Sequence, residues 1–166
     1  MRRAVVACLT LILLELLMVR SVNAAAMAIA DSSEGCVLHV YKDPRGIATG
    51  GWGHSGPDLP PLGTPITQAQ ADAWRAADMA RAAAFVEAHV TVPLTDNQFS
   101  VLAEWTYNVG VGNFLGSILL RVLNQGNYAA VPAQLMRWTK AGGKTLPGLV
   151  TRRLKEAALF TTPDHH

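Results

Sequence analysis

At 166 residues, half of them hydrophobic, the chain can build one core, split at most into two lobes, and more than one independent domain is not expected. Its formal net charge of +2 arises at the N-terminus: residues 1–24 hold three of the 14 basic and one of the 12 acidic side chains, leaving 11 of each and a neutral remainder. With no basic stripe to neutralise phosphates, nucleic acid is not expected as a partner.

Arg2 and Arg3 precede an apolar run at residues 4–19 that is interrupted only by Thr10 and Glu15. The leading charges favour a cytoplasmic N-terminus and a chain facing outward. Arg20-Ser21-Val22-Asn23-Ala24 then places small residues where a signal peptidase cuts. The ten Leu, Ile and Val of the run favour the bilayer by roughly 3–6 kcal/mol, and Glu15 opposes this by roughly 2.5 kcal/mol or more. Sixteen residues also fall short of the roughly 20 that a bilayer core requires. Two fates fit residues 1–24: a signal peptide cleaved after Ala24, or a weak anchor that later releases the uncleaved chain. An uncleaved chain can pair Cys8 with Cys36 in an oxidising compartment, whereas a cleaved one keeps a lone thiol. Each cysteine also reads simply as a small buried hydrophobe.

The remaining elements follow in order. A short helix from about Ala25 is expected to end at Glu34, with Gly35 as its stop. Val37, Val40, Tyr41 and Ile47 favour strands, while Pro44-Arg45-Gly46 and Gly50-Gly51 supply turns, which predicts an antiparallel hairpin or three-stranded sheet over residues 37–54. Pro57, Pro60 and Pro61 make an irregular passage to a long helix over residues 68–89, opened by a Thr67/Gln70 capping box. After Pro93, Thr95 and Gln98 form a second capping box ahead of a central helix whose stripe of Phe99, Leu102, Ala103 and Thr106 runs to Gly110. Ser117 can cap a short helix through Leu123 that stops near Gly126. Asn127 can cap another through Trp138, with Pro132 near its first turn and Gly142-Gly143 as its stop. A last helix after Leu146-Pro147-Gly148 carries Leu149, Leu154, Ala157, Ala158 and Phe160 toward the core. The expected class is α+β, mainly α: a small β-hairpin lobe over about residues 28–66, a connecting long helix, and a larger helical lobe over about residues 67–160, with a cleft between.

Glu34 is followed nine residues on by Asp43 and six after that by Thr49. Glycosidic cleavage needs a protonated acid at the leaving oxygen and an ionised partner across the sugar, so two carboxyls in different environments suffice without a cofactor. A helix C-terminus and burial would both raise the Glu34 pKa. Asp43, beside a turn, is better solvated and stays ionised, and Thr49 on the returning strand can hydrogen-bond a water held by Asp43.

These residues resemble the phage-type lysozymes, the endolysins of glycoside hydrolase family 24. Glu34, eight residues, Asp43, five residues and Thr49 reproduce that family's catalytic spacing. EGCVLHVYKD, GGWGH, TYNVGVGNF and LPGLVTRRLKEAALF are similar to its blocks in the same order, over about residues 28–160. The resemblance implies a lysozyme-like two-lobed catalytic domain over residues 25–166, hydrolysing the β-1,4 bond between N-acetylmuramic acid and N-acetylglucosamine in peptidoglycan. It assigns Glu34 as acid, Asp43 as second carboxylate and Thr49 as positioning hydroxyl, with inversion commonly held for the family. The leader is similar to those of signal-anchor-release endolysins, exported and held inactive by a weak anchor. In some of these an anchor cysteine exchanges disulfides near the catalytic glutamate, a placement that Cys8 and Cys36 share; with aspartate at position 43, such a bond would act only through the surroundings of Glu34. The implied partners are peptidoglycan and, transiently, the inner membrane through residues 4–19. The chain is expected to be periplasmic after export and monomeric, and to need no cofactor or metal.

Other conspicuous residues have plainer readings. His54 is expected as a structural histidine paired with a carboxylate such as Asp58. His39, His89, His165 and His166 share no metal-ligand spacing. Asn108 either faces the cleft or makes a helix-end hydrogen bond. Trp105 and Trp138 read as core and Trp52 as a sugar-stacking surface. Arg152, Arg153 and Glu156 read as a solvated face, although an arginine here is placed to reach Glu34. Gly50-Gly51 lacks the Gly-Lys-Ser/Thr of a phosphate loop. The alternatives to a wall hydrolase are an exported peptidoglycan-binding module without activity, which the intact Glu34, Asp43 and Thr49 argue against, and a membrane-permeabilising protein, which the large folded body argues against.

Overall fold

In the computed structural model, which describes residues 20–164, the first helix is α1 (Ala24–Asp31). Asn23 caps it by accepting the Ala26 N–H, which satisfies one of the first turn's otherwise unpaired donors. The helix does not continue to Glu34. The Ser32 and Ser33 hydroxyls both donate to the Ile29 carbonyl, at 3.0 and 2.7 Å, and Ser32, not Gly35, is the C-cap. Side chains of this type give the backbone an alternative to the helical ladder, so Glu34 stands in a loop beyond the helix.

The residues preceding α1 belong to the same body. The Arg20 guanidinium lies 4.6 Å from the centre of the Phe99 ring and donates to Asp96 at 2.5 Å and to the Leu94 carbonyl at 3.0 Å. Val22 packs against the core, and the Asn23 N–H donates to the Ser100 hydroxyl. The apolar run at residues 4–19 and Cys8 lie outside the described residues.

β1 (Val37–Lys42) and β2 (Ala48–Gly51) form an antiparallel hairpin in which Tyr41 faces Thr49 and Lys42 faces Ala48. Among the described residues no third strand joins them; single bridges of His39 with Pro65 and Gly50 with His54 stand in its place. The hairpin rests on α2 (Gln68–His89) where Gly51, at φ +62°, comes so close to Ala71 that a Cβ would lie 2.9 Å from the alanine's own. Thr67 caps α2 through the Gln70 N–H.

α3 (Asp96–Val109) is opened by a complete capping box between Thr95 and Gln98 and packs against α1, α2 and the C-terminal helix. Phe99, Leu102, Trp105 and Phe114 are all at most 1% exposed around it. α4 (Val111–Leu115) and α5 (Ile118–Asn124) follow, the second capped by Ser117. The expected helix from Asn127 to Trp138 is shorter: Asn127 makes no side-chain cap bond, a 3₁₀ turn at Tyr128–Ala130 leads into α6 (Val131–Leu135), and Trp138 lies beyond it. Gly142 and Gly143, at φ +56° and +77°, form the turn of a second hairpin, β3 (Lys140–Ala141) with β4 (Lys144–Thr145). Two successive positive φ angles suit the twist of a tight hairpin, which is why the glycine pair reverses the chain there instead of stopping a helix. α7 (Pro147–Thr161) closes the described elements.

The architecture is mainly helical with small antiparallel sheets, as the sequence predicts.

Candidate active site

Three elements converge on Glu34, which leaves the α1 to β1 loop with its side chain 15% exposed. From α7, Arg152 Nη1 donates to Glu34 Oε1 at 3.0 Å. From α3, the Tyr107 hydroxyl lies 3.1 Å from Oε2 and 2.9 Å from the Trp52 carbonyl, so its single proton is shared between two acceptors. From α2, Arg75 adds a more distant positive charge. Burial raises the Glu34 pKa above the ordinary carboxyl value, outweighing the opposing pull of Arg152, Tyr107 and Arg75. The carboxyl opens on a cavity of about 660 Å³ lined by Tyr41, Trp52, Asp78, Tyr107 and Asn108, among others.

Glu34 and Asp43 flank β1, the glutamate before its start and the aspartate directly after its end. Asp43 Oδ1 accepts the N–H groups of Arg45 and Ile47 at 2.8 and 2.9 Å, and Oδ2 accepts from Arg45 Nε at 3.0 Å. The Ile47 N–H leads the groups that hold the Asp43 pKa below the usual carboxylate value. Thr49 on β2 is buried and faces Tyr41, which lines the cavity two residues before Asp43. Its hydroxyl donates to the Ile47 carbonyl at 3.0 Å, so toward a water it offers lone pairs.

Arg152, Arg153 and Glu156 are not a solvated face: their exposures are 2%, 0% and 0%. Arg152 does reach Glu34, and on its other side Nε donates to Glu104 Oε1 at 2.8 Å while Nη2 stands 2.5 Å from the same oxygen. Arg153 donates to Asn108 Oδ1 and lies 3.1 Å from Glu156. Asn108 thus faces the cavity, as one of its two expected readings has it, and its side chain bonds across to α7 instead of capping its own helix end.

His54 is structural, as its pairing with Asp58 at 3.0 Å anticipates, but a closer partner is Asp78 at 2.8 Å. The ring stacks on Trp74 at 4.9 Å. Burial alone would lower its pKa; the two aspartates outweigh that and raise it. Trp52 is pinned by Asp72, which accepts its indole N–H at 2.8 Å, and by Arg75 4.8 Å from its ring centre. Trp105 packs edge-on against Trp138 in the core. Cys36 is half-buried and unpaired among the described residues.

Sequence reasoning missed Tyr107, Glu104, Arg75 and Asp78. Glu104 alone left a signal, a charge beside the apolar stripe of α3; acidic residues are seldom fully buried unless paired.

The phage lysozyme family profile matches residues 31–156. An endolysin of Acyrthosiphon pisum secondary endosymbiont phage 1 is 40% identical over 131 residues, covering 76% of this chain and 88% of the relative. A SAR-endolysin of Enterobacteria phage P21 is 41% identical over 123 residues, covering 74% of each. Among solved structures, the muramidase domain of SpmX from Asticaccaulis excentricus superposes with a TM-score of 0.76 at 30% identity, covering 87% of this chain and 99% of that domain. This chain belongs to the phage lysozyme family and is a glycoside hydrolase of the endolysin kind.

Proposed function

We propose that the enzyme hydrolyses the β-1,4 bond between N-acetylmuramic acid and N-acetylglucosamine in peptidoglycan, with Glu34 as general acid, Asp43 as general base and Thr49 as the hydroxyl that positions the water. The observation that carries this reading is the opposite perturbation of two carboxyls flanking one strand: burial raises Glu34, and backbone N–H groups lower Asp43. Environments that push paired titratable groups apart separate the acid from the base. Protonated Glu34 donates to the glycosidic oxygen as the bond to the anomeric carbon breaks. A water giving one proton toward Asp43 and the other toward the Thr49 lone pairs aims its own lone pair at that carbon, so attack inverts the centre. Trp52 offers a fixed indole surface in the cavity to the sugar. The test is a folded Glu34→Gln protein acting on purified peptidoglycan, expected to lose about 10²- to 10⁴-fold in rate, together with the anomer of the first product read by NMR. Near-wild-type turnover by Glu34→Gln removes the acid assignment, and a retained anomer removes the role given to Asp43 and Thr49.

For the N-terminal segment we propose export with transient tethering to the inner membrane through residues 4–19, followed by release of the uncleaved chain. Docking of Arg20, Val22 and Asn23 into the folded body supports this over cleavage after Ala24, which would sever all three contacts. On this reading the catalytic domain begins at residue 20 instead of 25. Intact mass spectrometry of periplasmic protein, without reductant, before and after collapse of the membrane potential tests it. A full-length soluble species only after collapse is expected, and a mass lower by two hydrogens would add the Cys8 to Cys36 bond; a species beginning at Ala25 throughout overturns both.

A further inference from the structure

Arg152 poses a problem for the acid that it touches. A guanidinium within hydrogen-bond distance of a carboxyl favours the ionised form and ordinarily lowers a carboxyl pKa by about one to three units. Left alone, Arg152 at 3.0 Å would hold Glu34 as a carboxylate with no proton to give. The structure places a counter-charge on the other side of the guanidinium. Glu104, fully buried on α3, brings one oxygen within 2.8 Å of Nε and 2.5 Å of Nη2, leaving Nη1 to Glu34. The same carboxyl also hydrogen-bonds Glu156 and raises its pKa, so Glu104 is held between Arg152 and Glu156.

We propose that Glu104 is a positioning residue that neutralises Arg152, so that Arg152 orients Glu34 without stripping it of the proton it donates. The inference rests on the proposed role of Glu34 as acid and names what keeps it competent. A lone cation would fix the carboxyl and ionise it; a cation shared with a second carboxylate fixes it while giving up most of its field. The other groups facing this cluster are the Tyr107 hydroxyl from α3, Arg75 from α2 with its partner Asp31, and Arg153 and Glu156 from α7. Glu156 stands 3.5 Å from Arg152 Nε, too far for the bond that Glu104 makes, and is itself pushed up by burial and by Glu104. Its share in neutralising Arg152 is therefore the smaller one.

The experiment is the pH dependence of peptidoglycan hydrolysis by wild type, Glu104→Gln, Glu156→Gln and Glu34→Gln, with kcat and KM separated on a soluble muropeptide oligomer. Loss of the Glu34 proton sets the alkaline limb. Glu104→Gln should move that limb down by about one pH unit or more, with kcat restored at acid pH and KM unchanged. Glu156→Gln should move it less. An unmoved limb in folded Glu104→Gln, a larger shift from Glu156→Gln, or a loss of rate equal at every pH overturns the proposal. Carboxyl ¹³C NMR of the wild-type enzyme provides a test that needs no Glu104 variant, with the Glu34 resonance identified by its loss in Glu34→Gln. That resonance should titrate above the ordinary carboxyl value, and a Glu34 that titrates at or below it in the active enzyme is equally fatal. An active Glu34→Gln would instead remove the acid assignment, while an inactive one beside an unmoved Glu104→Gln limb removes only this inference.

Discussion

A chain beginning at Ala25 should fold less stably than one beginning at Arg20, because the intervening residues are fastened to α1 and α3. The Asn23 cap on Ala26 is typically worth about 1 kcal/mol. The Asn23 N–H to the Ser100 hydroxyl, at 3.0 Å, and its side-chain amide to Asn97, at 2.9 Å, each contribute roughly 0.5–1.5 kcal/mol. The exposed Arg20–Asp96 ion pair adds at most about 1 kcal/mol, and Arg20 over the Phe99 ring roughly 0.5–1 kcal/mol. Truncation also sets a charged α-amino group at the helix N-terminus, where the macrodipole disfavours it. Neighbouring contributions do not add in full, so the expected loss is about 3 kcal/mol, a fall in Tm of roughly 6–12 °C for a chain of this size. Both versions, without the apolar run, would be compared by thermal melting and urea titration at neutral pH. Midpoints agreeing within about 1 °C would refute the reasoning and with it the claim that residue 20 begins the folded body.

Three further outcomes are expected. Tyr107→Phe removes a hydrogen bond that favours ionised Glu34, so the alkaline limb of the pH–rate profile should move up, opposite to Glu104→Gln; a downward shift would contradict the geometry at Oε2. The His54 pKa is raised in the folded state, so its stabilisation is fully present below the unfolded value near 6.5 and is lost as pH rises through the folded value. Melting curves across that window should show wild type losing stability with rising pH and Asp78→Asn losing much less. Gly51→Ala forces a left-handed residue and a 2.9 Å Cβ contact on Ala71, and should cost about 1–3 kcal/mol by urea titration.

The helical scaffold was legible because its signals are local. Thr67 and Thr95 each accept the N–H three residues on, and α2 has its predicted bounds, since an alanine-rich stretch between a cap and a proline has little alternative. The errors fall where two local readings compete. Ser32 and Ser33 ended α1 by turning back onto Ile29, while Gly35 offered the more familiar stop. Gly142-Gly143 serves a hairpin turn as well as a helix end, and only the pairing of Lys140 with Thr145 and Ala141 with Lys144 decides between them.

The least legible part of the candidate site is its buried charge. An apolar-periodicity argument places Leu154 toward the core and the arginines outside, whereas Leu154 is 55% exposed and Arg153 is wholly buried. Four charged side chains, Glu104, Arg152, Arg153 and Glu156, fill the interface between α3 and α7 where aliphatic residues would ordinarily pack. The Arg152 guanidinium is tolerable there because Glu104 supplies the opposite charge across a sequence separation of 48, while Arg153 and Glu156 meet within one turn of α7 and burial pushes Glu156 toward its neutral form. Replacing such a network with well-packed apolar residues is often neutral or stabilising by about 1–4 kcal/mol, so stability alone does not account for it. The network ends at the Glu34 carboxyl, and a set of charges that aims one carboxyl and governs its proton is what an acid catalyst in a partly buried cleft requires.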